Sequence, residues 1–139
     1  DIQNIFEQHD IKSDITITKA RRYAASIESK FKGGQLIDHC GLFIYNNEAQ
    51  TLNFMKQWWL LYCKQDEGKW NWDTDLYPEY LRKWDMWTYW WLQNKTQHKI
   101  KRSYFPHPDA RWNFVCVYDE KELDGQEAII YHQPVPRKK

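Results

Sequence analysis

The chain has 139 residues, with 20 Lys and Arg against 19 Asp and Glu, and 42% of it is apolar. That near-neutral balance gives no global pull towards nucleic acid or a membrane surface, and the composition excludes a disordered chain. The longest apolar runs span four or five residues, far short of a membrane helix. The length suits a single domain, or part of one, that buries about two thirds of its unfolded surface. Three widely spaced cysteines, Cys40, Cys63 and Cys116, form no metal-binding pair. They favour a reducing, cytoplasmic compartment and leave the secretory lumen open. Nine Trp either fill a core or line a surface that takes flat apolar faces, sugar rings among them.

In chain order, Asp1 to Asp10 reads as one amphipathic turn around Ile2, Ile5 and Phe6. Asp14-Ile15-Thr16-Ile17-Thr18 is β-branched and alternating, which predicts a short strand. Lys19 to Lys30 is a basic helix or loop, whose Arg21 and Arg22 suit a solvated face or a phosphate contact. Gly33-Gly34 breaks the chain without forming a phosphate-cradling glycine motif. The stretch Ile37 to Asn47 follows, in which small, polar and reactive residues lead into the apolar run Leu42-Phe43-Ile44-Tyr45. That run reads as a strand buried on both faces, and Asp38 to Gly41 as one wall of any site.

Asn47 and Gln50 have the spacing of a capping box, opening a helix that runs to about Lys64. Leu52, Met55, Trp59 and Tyr62 fall on its expected core face, widened by Phe54, Trp58 and Leu61. After a loop containing Asp73-Thr74-Asp75, Pro78 and Glu79 suit the start of a second helix, reaching about Asn94. Tyr80, Trp84, Trp87 and Trp91 form an aromatic stripe on it, with Asp85 at the flank, rotated about 100° from Trp84. Tyr104 to Pro108 must be extended or turning, because it holds two prolines. Strands are expected at Phe114 to Tyr118 and Ala128 to Tyr131, the latter followed by His132, with 133–139 as a tail. The order predicts an α/β fold, a mixed sheet flanked by helices.

Four segments in sequence resemble the C-terminal half of the GT-A glycosyltransferases, the nucleotide-sugar enzymes that include glycogenin-like and galactosyltransferase-like families. They are Asp38 to Asn47 with the aromatic pair Trp58-Trp59, Trp84-Asp85-Met86-Trp87, Pro108 to Phe114, and Ala128 to His132. The resemblance covers about residues 31 to 134. His39 stands where the family usually has Asn, and Met86 where it usually has Gln. The family's metal-binding Asp-x-Asp pair belongs ahead of this region, and Asp73-Thr74-Asp75 has its letters in another place.

The resemblance implies transfer of a sugar from a nucleotide-sugar donor to a glycan or protein acceptor. It implies Asp85 as the carboxylate near the anomeric carbon, and Asp38, His39, Gly41, Trp84 and Trp112 around the substrate. It also implies His132 as a ligand to a divalent metal, Mn or Mg. On the residues alone, His132 equally suits a hydrogen-bonded sheet edge, the tryptophans suit a core, and Cys40 suits a buried thiol rather than a nucleophile. Two other readings stay open: a non-catalytic carbohydrate-binding or structural relative, and an RNA-contacting assembly component using Lys95, Lys101 and Arg102 with aromatics.

Overall fold

The computed structural model describes residues 3–19, 38–66, 85–114 and 117–131. The segment from Arg21 to Ile37, Asp73-Thr74-Asp75, Tyr80, Trp84, Cys116 and His132 lie outside them. A short helix, α1 (Gln3–Glu7), meets the expectation of one amphipathic turn. Three strands follow the order β2-β1-β3 in one sheet: β1 (Ile15–Lys19), β2 (Asp38–Tyr45) and β3 (Arg102–Tyr104). β1 pairs antiparallel with β2 and parallel with β3, so the sheet is mixed and the chain is α/β.

β1 is the central strand, which explains why both of its faces are buried although its sequence alternates. Ile15 and Ile17 enter the apolar core, fully buried. Thr16 and Thr18 point to the other face, also fully buried, and their hydroxyls are satisfied there. The Thr16 hydroxyl lies 3.2 Å from that of Ser103 on β3, and the Thr18 hydroxyl donates to the carbonyl of His39 at 3.1 Å. Asp14, just ahead of β1, ties the sheet's start together. Its carboxylate accepts from the side chains of Asn46 and Gln50 and from the backbone N–H of Lys101. Burial works to raise its pKa, but these bonds outweigh it and leave the group below the ordinary aspartate value.

The first long helix, α2 (Ala49–Asp66), begins two residues later than expected. Asn46, not Asn47, makes the local turn, its Oδ1 accepting from the N–H of Glu48, while Gln50 is drawn to Asp14. The core face is also rotated from the expected one. Phe54 and Leu61 are buried, with Trp58 packed against them, whereas Leu52, Trp59 and Tyr62 are exposed. The reason is visible in the partner helix, α3 (Asp85–Lys95), which brings Tyr89 into ring contact with Phe54 at 5.7 Å and Trp58 at 5.4 Å. An edge-on cluster of this kind fixes which face of α2 turns inward. Trp91, from the expected stripe of α3, packs half-buried against the same core.

Among the described residues the expected C-terminal strands do not form a ladder. Phe114 and Tyr131 make one isolated parallel bridge, and Val117–Leu123 is a 3-10 helix. Arg111 explains the irregularity: its carbonyl accepts from the N–H of both Ile129 and Ile130, and its guanidinium holds Glu127 O and Gln126 Oε1. One residue thereby anchors the returning segment with bonds that a regular strand would direct elsewhere. No helix among the described residues is long and apolar enough to cross a membrane.

Candidate functional site

The stretch Asp38 to Gly41 forms the first half of β2, and it is the better buried half. Asp38, His39 and Cys40 are buried, while Leu42, Phe43 and Ile44 are only half-buried. The strand is irregular here: Ile17 pairs with Phe43 but Thr18 pairs with His39, which leaves Cys40, Gly41 and Leu42 without register partners on β1. A bulge of this kind re-aims side chains and is frequent beside functional sites.

His39 braces the irregularity from inside. The N–H of Gly41 donates to its Nδ1 at 3.1 Å, and the amide nitrogen of Asn113 lies 2.7 Å from the same atom. An Nδ1 that accepts must be unprotonated, so in the neutral ring the proton sits on Nε2. The same Asn113 amide also reaches the Thr18 hydroxyl at 3.2 Å. Thr18, His39 and Asn113 thus form a buried polar brace joining β1, β2 and the segment after the 3-10 turn Asp109–Arg111. In this position His39 is held by the protein interior, and its role is to shape the loop at Gly41. Trp112 is likewise a packing residue: it is buried, with its ring stacked on Phe105 at 5.6 Å and 23°.

Asp38 turns the other way, towards β3 and the far side of α3. Arg102 donates to its Oδ1 at 2.8 Å, and the hydroxyl of Tyr104 donates to the same oxygen at 2.6 Å. The Tyr89 phenol also feels this carboxylate: burial first, then the Asp38 charge, pushes it well above the ordinary tyrosine value. Burial and the hydrogen bond to Asp38 do the same to Tyr104. Arg102 stacks over the Tyr104 ring, its guanidinium carbon 4.5 Å from the centroid. Asp38 and Arg102 stand in a pocket of about 250 Å³ whose other walls come from α3 and the segment before β3.

Asp85 is exposed at the first turn of α3, where a carboxylate is favoured by the helix dipole, and its Oδ1 accepts from the N–H of Met86 at 2.8 Å. It lines a second pocket, of about 270 Å³, with Met55, Trp58, Trp59 and Tyr62 of α2. A chain of two bonds fixes that geometry. The indole of Trp58 donates to the Thr88 hydroxyl at 2.7 Å, and that hydroxyl donates to the backbone carbonyl of Asp85 at 3.0 Å. Thr88 is fully buried, so the turn bearing Asp85 and the Trp58 ring are held as one piece.

Burial first, then the charges of Asp85 and Asp38, push the Cys40 thiol well above the ordinary value, so it stays protonated and is no nucleophile at neutral pH. Asp38 and Asp85 thus line two separate pockets against α3, while His39 and Trp112 are buried in packed interior. Thr88, Tyr89 and Tyr62 are contributors that the sequence does not single out for a site, whereas Arg102 enters there only as part of a basic surface and Trp58-Trp59 only as an aromatic pair.

Among the described residues no group of three or more His, Cys, Asp or Glu converges to hold a metal ion. His132, the residue that the GT-A resemblance implies as a ligand, is outside them. Comparison with known protein families, with curated proteins and with solved structures finds no match for this chain.

Proposed function

We propose that this chain is the acceptor-side portion of a nucleotide-sugar-dependent glycosyltransferase of the GT-A kind, and that the aromatic pocket at Asp85 takes a sugar ring. The observation that carries the reading is the pairing of one exposed carboxylate with the rings of Trp58, Trp59 and Tyr62 around a pocket of about 270 Å³. A pyranose offers an apolar C–H face to aromatic rings and hydroxyls to a carboxylate, and these side chains supply both. Asp85 has the second of its oxygens to accept a sugar hydroxyl, or to take the acceptor's proton as a general base. Gly41, exposed on the bulge beside Cys40, gives a ligand close access to the backbone.

In this reading a divalent ion would screen the diphosphate leaving group, with His132 among its ligands. The chain's own contribution is to orient the sugar on the α2 rings and to hold the carboxylate of Asp85 against it. A non-catalytic carbohydrate-binding role uses the same pocket without turnover. The test is isothermal titration with uridine-diphosphate sugars in the presence of Mn, together with an assay of donor hydrolysis. Binding and hydrolysis, with hydrolysis lost in a folded Asp85→Asn variant, support the enzyme; binding without hydrolysis leaves the carbohydrate-binding role. Absence of any sugar binding overturns both.

A further inference from the structure

The pocket on the other side of α3 has a different chemistry, and the sugar reading does not use it. Its base is the Asp38 carboxylate, 6% exposed. Its walls include Trp90, Gln93 and Asn94 of α3, and Lys99 and Arg102 stand on the opposite side. Two cations against one carboxylate leave the pocket with a net positive charge. At about 250 Å³ it is smaller than the roughly 300 Å³ at which drug-sized ligand sites begin, so it suits a few heavy atoms only.

Arg102 is the informative residue. Its bond to Asp38 uses one terminal nitrogen, Nη1, of a group with five N–H donors. Asp38 does not depend on Arg102 alone, because the Tyr104 hydroxyl donates to the same oxygen at 2.6 Å. A carboxylate with a neutral donor of its own can share its arginine with an incoming anion without becoming an uncompensated buried charge. The stack on Tyr104 keeps the guanidinium plane in place, its carbon 4.5 Å from the ring centroid, while that sharing occurs. Gln93 is already committed as a scaffold: its amide donates to Tyr89 and its carbonyl accepts from the N–H of Ile100. It locks the helix wall to the segment bearing Lys99.

We infer that this pocket binds a small oxyanion, the phosphate or carboxylate end of a compact polar molecule, between the guanidinium of Arg102 and the ammonium of Lys99. Planar guanidinium forks match both phosphate and carboxylate oxygens, and the exposed lysine adds charge at the mouth. The occupant is distinct from the sugar at Asp85, which lies in the other pocket.

The experiment is an NMR titration of the whole chain with inorganic phosphate, and separately with acetate, following the side-chain amide signals of Gln93 and Asn94. Saturable shifts with phosphate, acetate or both are expected, and the tighter of the two names the ligand's acidic group. Lys99→Gln should weaken binding about threefold and Lys99→Glu about tenfold, as expected for one screened surface charge and its reversal. Asp85→Asn should leave this titration unchanged, so loss of sugar binding and loss of oxyanion binding are read separately. Shifts that grow linearly and equal those caused by chloride would overturn the inference, as would saturable binding indifferent to Lys99→Glu.

Discussion

The Asp38 chamber predicts an unusual alkaline stability profile. Cys40, Tyr89 and Tyr104 all keep their protons in the fold to higher pH than in the unfolded chain: burial acts first on each, and Asp38 adds to it at all three, after the charge of Asp85 in the case of Cys40. For a group whose folded pKa is raised, the stabilisation is complete below the unfolded pKa and is lost as pH rises from there to the folded value. The loss therefore begins near pH 8.5, the ordinary thiol value, with Cys40, and steepens above about pH 10 when unfolded tyrosines ionise. Each retained proton contributes up to about 1.4 kcal/mol per pH unit, so the buried Cys40 and Tyr89 together give a slope of up to about 3 kcal/mol per pH unit, to which the half-buried Tyr104 adds a smaller, solvent-screened share. Against a total stability of about 5–15 kcal/mol, that unfolds the chain within a few pH units. The assay is urea denaturation followed by tryptophan fluorescence at half-unit steps from pH 8 to pH 11.5, with tyrosinate absorbance read in parallel. At least two of the nine tyrosines should ionise only with global unfolding. In Asp38→Asn the same steepening should be weaker, because one of its causes is gone at all three groups. A profile that is flat to pH 11, or one that Asp38→Asn leaves unaltered, refutes the chamber as described.

Other outcomes follow from the same contacts. Thr88→Val keeps the shape but orphans the indole N–H of Trp58, which is bonded to Thr88 at 2.7 Å; it should cost about 1–3 kcal/mol in chemical denaturation and weaken sugar binding at the Asp85 pocket. Asp14→Ala removes the acceptor of three bonds at the head of the sheet and should cost about 2–4 kcal/mol. Since the folded pKa of Asp14 is lowered, its contribution is present above about pH 4 and lost as pH falls further, so Asp14→Asn should flatten the acid limb of the stability profile. Phe54→Ala empties the centre of the α2–α3 contact, where Phe54 is fully buried, and should destabilise by about 3–5 kcal/mol, whereas Leu52→Ala on the exposed face should stay within about 0.5 kcal/mol.

The strand at β1 was legible because β-branched alternation is a local signal, and both long helices were legible from their apolar spacing. Rotation of α2 was not, because Leu52, Trp59 and Tyr62 are as apolar as Phe54, Trp58 and Leu61, and Tyr89 on another helix decides between the two faces, with Met55 packed at the core's edge. β3 has no signal of its own beyond the extended or turning stretch that starts at Tyr104, since Arg102-Ser103-Tyr104 carries no apolar run; its place is set by parallel pairing with a strand 87 residues away in sequence at the Thr16–Ser103 contact. The sequence singles out Asp38 to Gly41 as one wall of a site; in the structure this stretch carries the bulge of β2, and its side chains diverge. Asp38 faces Arg102, His39 faces Asn113 and Cys40 faces the core, an outcome of a bulge whose register depends on β1. Asp85 is expected at a flank of its own helix's aromatic stripe; among the described residues the aromatics that line its pocket are Trp58, Trp59 and Tyr62 of α2.

The central claim is that Asp85 and the α2 rings form a sugar site, and it is tested most directly by titrating the chain with nucleotide sugars in Mn while watching tryptophan fluorescence and donor hydrolysis. The account predicts a saturable change in fluorescence, turnover of the donor, and loss of that turnover in Asp85→Asn with the fold intact. Unchanged turnover in Asp85→Asn, or no saturable change with any sugar, contradicts it.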